Sequence, residues 1–273
     1  MLSGLLQRVV TAIVIGSLFV WAIFALPSVY FSYFLLVFLL LGCWEFSKLI
    51  KLRSPLIRSI YSLFVGLIAI SVYSFEYLLY FILYLSAFWW IINLYWVVSY
   101  PQKTSLWFDP VVARLSSGVL LFVPMWLALS SLHKSHGPFL VLLIMAIVWA
   151  ADTGALITGK TVGRKKLATL VSPKKTIEGV IGGVFFSMLV LLLFFTLTDV
   201  DQGFTTTNYA GYFFLVLIVS CVSVLGDLYE SLFKRVSGVK DSGNILPGHG
   251  GILDRIDSLT AAAPFFVLGV NLL

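Results

Sequence analysis

Charge is what this sequence has least of. Only 11% of its 273 residues are Asp, Glu, Lys or Arg, and 12 are acidic. A soluble domain carries about 25% charged residues, so a soluble globular architecture is excluded and no nucleic-acid partner is expected. Cysteine is nearly absent. Cys43 and Cys221 both fall in apolar runs, so they are expected to be buried packing residues rather than a disulfide or a metal pair. Histidine is also scarce: His133 and His136 read as ordinary loop residues, and His249 stands alone in a glycine-rich stretch. Without paired His or Cys, a zinc-type site has no ligands. No internal repeat is present, and "GKTVGRKK" lacks the Walker spacing.

Apolar sequence is what remains: 60% of the residues are hydrophobic. A helical membrane span needs roughly 20 apolar residues. Nine runs qualify, at 9–26, 29–47, 57–75, 77–99, 116–133, 138–159, 178–198, 209–232 and 257–273. Spanning segments must satisfy their own backbone, so an all-α polytopic bundle is expected. The first run is read as a span rather than a cleaved signal, because a second run follows at once. Residues 1–135 hold spans one to five and residues 136–273 hold spans six to nine, in one integrated membrane domain. With the N-terminus inside and nine alternating spans, all but one of the 18 Lys and Arg fall on the cytoplasmic side; the exception is Lys134. Such asymmetry sets orientation, here N-in and C-out. Ser242 and Ser135 are then expected to be accessible from opposite faces.

The acids gather late in the chain. Asp152 lies in "VWAADTGALITG", where the ADTG context predicts a break in the helix, and Glu178 opens the seventh run. Asp227 and Glu230 are three apart, as are Asp254 and Asp257, which places each pair on one helix face. Acids in spans are usually partnered and functional. Converging carboxylates repel one another unless a cation lies between them, and oxygen-only ligands favour Mg²⁺. The plainer alternative is local pairing, Asp254 with Arg255 and Glu230 with Lys234. Glu45, in the second span, is expected to lie outside this cluster.

Two long loops join the acids. "GKTVGRKKLATLVSPKKTIEGVIGG" carries six bases and leads into a helix start that Ser172 or Thr176 can cap, with Pro173 in the first turn. Its Lys174 and Lys175 at a helix N-terminus suit an anion. "KRVSGVKDSGNILPGHGG" is rich in glycine, which permits positive φ and close approach to a ligand. Basic loops for phosphate and carboxylates for Mg²⁺, on one face at the lipid boundary, indicate phosphoryl or nucleotidyl chemistry on a lipid.

The stretch "SLFKRVSGVKDSGNILPGHGGILDRID", residues 231–257, resembles the signature of CTP:phosphatidate cytidylyltransferases. Ser231, Lys234, Arg235, Lys240, Asp241, Pro247, Gly248, His249, Gly250, Gly251, Asp254, Arg255 and Asp257 fall in place. "DTGA", "SPKKTIEGVIGG" and "GDLYESLFKR" are similar to that family too. Leu156 departs from it, standing where an aromatic is expected. The resemblance implies transfer of CMP from CTP to phosphatidic acid with Mg²⁺ as cofactor. Asp227, Asp254 and Asp257 are the candidate metal ligands, with Glu230 and Asp152 in reserve. Lys174, Lys175, Lys234, Arg235 and Arg255 are candidates for the phosphates, and His249 and Lys240 for the leaving pyrophosphate or the cytosine. Ser172, Thr176, Glu178, Asp241 and Gly250 complete the expected substrate contacts. A CTP-dependent lipid kinase of the polyprenol type, and an anion transporter with Asp152 and Asp227 on its pathway, are the alternatives. A two-fold homodimer is the expected assembly.

Overall fold

The computed structural model describes residues 4–197, 208–248 and 250–273. Helices α1 (Gly4–Ala25), α2 (Ser28–Leu49), α3 (Pro55–Tyr73) and α4 (Glu76–Val98) follow one another through short turns. A five-residue α5 (Thr104–Phe108) leads to α6 (Val111–His136) and α7 (Pro138–Thr161). Next come an antiparallel hairpin, β1 (Lys166–Ala168) and β2 (Ser172–Thr176), then α8 (Ile177–Leu197), α9 (Tyr209–Ser237) and α10 (Leu253–Val270).

Among the described residues seven helices are long and apolar enough to cross a membrane: α2, α3, α4, α6, α7, α8 and α9. The chain is thus an all-α polytopic membrane protein apart from its hairpin. Of the nine expected runs, the first appears as the shorter apolar stretch Val9–Ala25 of α1. The last becomes α10, whose 18 residues include Asp254, Arg255 and Asp257 in the first turns. Helix α10 packs against α9, α6, α4, α7 and α2, and most of its residues are buried. It is the centre of the bundle, so it can carry charge where a lipid-facing helix could not. Helix α8 shows the opposite extreme: Ile181 is 64% exposed and Phe185 58%. A continuous apolar face of this kind is stable against lipid, not water.

One end of the bundle collects the polar loops. There Arg114 Nη1 donates to the Ile50 carbonyl at 3.0 Å, Arg58 Nη2 to the Trp44 carbonyl at 2.9 Å, and Ser237 to the Leu49 carbonyl. The other end holds Lys134 paired with Glu76 at 2.6 Å, and His133, whose Nε2 lies 2.8 Å from the Ile23 carbonyl. A single hydrophobic core runs through residues before and after 136.

Three local expectations are corrected. Helix α7 runs unbroken through Asp152, because its ADTG glycine serves packing: a Cβ on Gly154 would meet the Gly182 carbonyl oxygen at 2.9 Å. The loop before α8 is a hairpin, so Ser172 and Pro173 lie in β2, and Thr176 alone caps the helix, its Oγ1 accepting from Gly179 N at 3.1 Å. Cys43 is buried as expected, but Cys221 is exposed on the outer face of α9.

Candidate active site

Close helix contact builds the site. A Cβ on Gly226 would stand 2.5 Å from the Asp257 carbonyl oxygen, so glycine there lets α9 touch the backbone of α10 and sets Asp227 beside Asp257. Gly183 does the same between α8 and α7, where a Cβ would meet the Ala151 carbonyl oxygen at 2.6 Å. Gly226 and Gly183 therefore serve helix packing. The result is a cavity of about 440 Å³ at the polar end. Five carboxylates line it, from Asp152, Asp227, Asp241, Asp254 and Asp257, together with the cations of Lys174, Lys175, Lys234 and Arg255. Thr176, Ala155 and Leu156 complete one wall. Leu156 puts an exposed aliphatic side chain where a ring was expected.

A second cavity, about 460 Å³, adjoins the first and shares Asp152, Asp254, Arg255 and Asp257 with it. Its other walls are largely apolar, from Ile15 and Phe19 of α1, Phe38 of α2, Met145 of α7 and Leu259 of α10. The acids thus sit where a charged chamber meets a greasy one.

Cations already engage several of these acids. Lys175 Nζ lies 2.7 Å from Asp227 Oδ2, and Ser231 Oγ donates to Asp227 Oδ1 at 3.2 Å. Lys234 bridges Glu230 Oε2 and Asp254 Oδ1, each at 2.8 Å. The expected Lys234–Glu230 pair is therefore present, while Asp254 pairs with Lys234, 20 residues away in sequence. Asp254 Oδ2 also accepts from Gly251 N at 2.8 Å and Ser242 Oγ at 2.9 Å, which closes the loop onto α10. Asp257 is 9% exposed, and its Oδ1 accepts from Ser258 N at 2.7 Å. The charges of Asp227 and Asp152 act on Asp257. Glu230, behind the cavity wall, leaves Oε1 buried with no hydrogen-bond partner.

The remaining expected residues have distinct places. Glu178 accepts from the backbone N–H groups of Arg164 at 3.0 Å and Lys165 at 3.1 Å, so it closes the turn after α7. Arg235 Nε donates to the Val171 carbonyl at 2.9 Å and ties the hairpin to α9. Lys240 is exposed and does not line the cavity. Gly250 has φ +84°, a left-handed value that favours glycine, and its carbonyl accepts from Leu246 N at 2.9 Å. His249 lies outside the described residues.

Two residues at this site escaped the sequence reading. Glu45 was expected outside the cluster, yet its Oε2 accepts from Leu253 N at 2.8 Å and lies 3.3 Å from Ser242 Oγ. Ser242 was expected to be accessible, yet it is 1% exposed, held between Glu45 and Asp254. An acid inside an apolar span was the available signal for Glu45.

As a metal site, the donor set fits a hard cation in kind: carboxylate oxygens that repel one another, and an orphaned Glu230 oxygen. Among the described residues no three ligands stand close enough to share one ion, and Lys175 and Lys234 pair with Asp227 and Asp254 instead.

The sequence pattern of the cytidylyltransferase family matches residues 6–273. A protein of Haemophilus influenzae named phosphatidate cytidylyltransferase is 40% identical over 95% of this chain and 96% of its own length. One of the same name from Pseudomonas aeruginosa is 37% identical over 95% of this chain and 94% of its own. A third, from Staphylococcus aureus, is 48% identical over 48% of each chain. With nearly its full length matched, and with the signature acids of α9 and α10 meeting in one cavity, the chain belongs to the cytidylyltransferase family.

Proposed function

We propose that this protein transfers CMP from CTP to phosphatidic acid at the cytoplasmic face of the cell's inner membrane, giving CDP-diacylglycerol and pyrophosphate. The carrying observation is the junction of the two cavities, a charged one and a largely apolar one, at Asp152, Asp254, Arg255 and Asp257. A lipid phosphate and a nucleotide can meet there while acyl chains stay in a greasy environment. Family membership and the names of the two long relatives support the same reaction.

In this reaction a phosphate oxygen of phosphatidic acid attacks the α-phosphorus of CTP. The bond from that phosphorus to the bridging oxygen of pyrophosphate breaks, and pyrophosphate carries away the electron pair. The nucleophile is already an anion, so the protein needs no strong base. Its task is to hold two anions in line and screen their repulsion. Arg255, which lines both cavities, is placed to bind a phosphate bidentately. Lys174, exposed on the charged side, can hold the triphosphate. Lys175 can exchange its Asp227 partner for a phosphate oxygen. With Asp227 released by Lys175, Asp227, Asp257 and Asp152 are the cavity acids that would hold Mg²⁺, which would supply charge neutralisation of the triphosphate.

The membrane arrangement belongs to the same proposal. Helices α1 and α10 complete nine spans, with the N-terminus inside and the C-terminus outside, and two copies form a homodimer. Positive charge gathered at the polar end supports that orientation.

The deciding experiment supplies purified protein and phosphatidic acid with CTP labelled at the α-phosphate in one tube and at the γ-phosphate in another. The α label is expected in the lipid phase, with the γ label left in water as pyrophosphate. Lipid labelled only from the γ position would replace cytidylyl transfer by a lipid kinase.

A further inference from the structure

We propose that Glu45, near the end of α2, is a positioning residue for this reaction. It anchors the loop at Ser242, Gly243 and Gly251 and the first turn of α10, and so holds Asp254, Arg255 and Asp257 toward the shared cavity. The proposal rests on the cytidylyltransferase assignment for what is positioned, but its geometry is independent of it.

Glu45 is 2% exposed and lines neither cavity. It therefore does not touch substrate in either chamber. Its Oε2 accepts from Leu253 N at 2.8 Å, the first residue of α10, 208 positions away in sequence. That N–H belongs to the first turn, where no helical carbonyl is available to it, and a carboxylate is a favourable partner at this end of a helix. The same oxygen lies 3.3 Å from Ser242 Oγ, which lies 2.9 Å from Asp254 Oδ2. A hydroxyl has one proton, so Ser242 can serve only one of these acids at a time. One serine thus links an acid of α2 to an acid of α10 across the loop.

The loop is also cut to fit this carboxylate. A Cβ on Gly243 would overlap Glu45 Oε1, and one on Gly251 would lie 2.5 Å from Oε2. Both ends of the loop therefore close against Glu45 with backbone alone. Burial of a carboxylate here is costly. Oε1 is buried with no hydrogen-bond partner, and Asp254 repels the group. Arg58 is the cation whose charge reaches it, itself held by Ser47 Oγ and the Trp44 carbonyl, both at 2.9 Å. An acid retained under these conditions, accepting from the helix start and closed upon by the loop's backbone, is doing a local task. That task needs an acceptor oxygen at a fixed reach, which glutamine can also provide and aspartate, one methylene shorter, cannot.

The test compares Glu45→Gln, Glu45→Asp and Glu45→Ala with wild type, each with and without Asn244→Cys. Asn244 is exposed in the loop, and the rate at which that cysteine reacts with a water-soluble maleimide, read by peptide mass, reports loop order without any need for activity. E45A and E45D are expected to lower kcat by about 10- to 100-fold, the scale of roughly 1 Å misplacement, while KM for CTP changes less than about threefold. Both should speed labelling at residue 244. E45Q should stay within about threefold of wild type in kcat and label at the wild-type rate. Wild-type kcat and labelling in E45A would overturn the proposal. So would E45Q as impaired as E45A, since charge rather than reach would then matter. Failure of both E45A and E45D to fold would make Glu45 a residue of the overall fold and overturn it too. If wild type transfers no CMP, the assigned reaction fails, yet the labelling comparison still decides whether Glu45 orders the loop.

Discussion

Replacing Lys234 by methionine keeps an unbranched apolar stem and removes the ammonium that holds two acids together. Lys234 is 12% exposed and lies 2.8 Å from both Glu230 Oε2 and Asp254 Oδ1, whose side chains are 4% and 9% exposed. Without it two buried carboxylates face each other's charge, with Asp257 adding to the repulsion at Glu230. Removing one partner from a buried pair costs about 3–5 kcal/mol. Asp254 keeps its bonds from Gly251 N and Ser242, so the lower figure applies. At roughly 2–4 °C per kcal/mol, about 3 kcal/mol lowers the unfolding midpoint by about 6–12 °C. The assay is thermal exposure of Cys43, which is buried and free, to a thiol-reactive dye in mild detergent, with the exposed Cys221 replaced by serine in every variant. Variants are compared at one heating rate, because the midpoint of an irreversible transition depends on it. Lys240→Met, at an exposed position, is the control and should melt with wild type. Adding Glu230→Gln to K234M should recover part of the loss, because one unpaired acid is removed. A K234M protein that melts with wild type but shows a raised KM for CTP would refute this account. Lys234 would then act as a phosphate ligand rather than as a strut between acids.

Asp257→Asn removes one carboxylate from among others that repel it, with almost no change in volume. It should melt no lower than wild type, while CMP transfer falls by at least about 100-fold, the loss of roughly 2.7 kcal/mol of transition-state stabilisation; undiminished transfer would remove Asp257 from the site. Topology is tested with single cysteines at Asn244 and Ser135, both exposed, rather than at the buried Ser242. In intact cells Ser135→Cys should react with a membrane-impermeant thiol reagent and Asn244→Cys only after the cytoplasmic face is opened; the reverse pattern would put the cavity outside.

Much of the architecture was legible in the chain because lipid imposes a simple rule. Backbone in a bilayer must bond within its own helix, so long apolar runs at 29–47, 57–75, 77–99, 116–133, 138–159, 178–198 and 209–232 had to be helical, and a helix covers all or nearly all of each run among the described residues. The i,i+3 acids and the crowded signature of residues 231–257 likewise placed Asp227, Asp254 and Asp257 near one another, since α9 and α10 are consecutive and antiparallel. Family membership followed from the same residues. Tertiary structure alone decided the partners that polar groups take from distant parts of the chain. Lys234 chose Asp254 as well as Glu230 because α10 enters beside the last turns of α9. Lys175 reached Asp227 because the segment before α8 turned back as a strand. Glu45 joined the site from 197 residues away because α2 packs on α10. Hydropathy and spacing are local properties and can be read along a chain. A hydrogen bond between distant residues depends on which helices lie side by side, and that is set by how glycines such as Gly226 and Gly183 let their backbones approach.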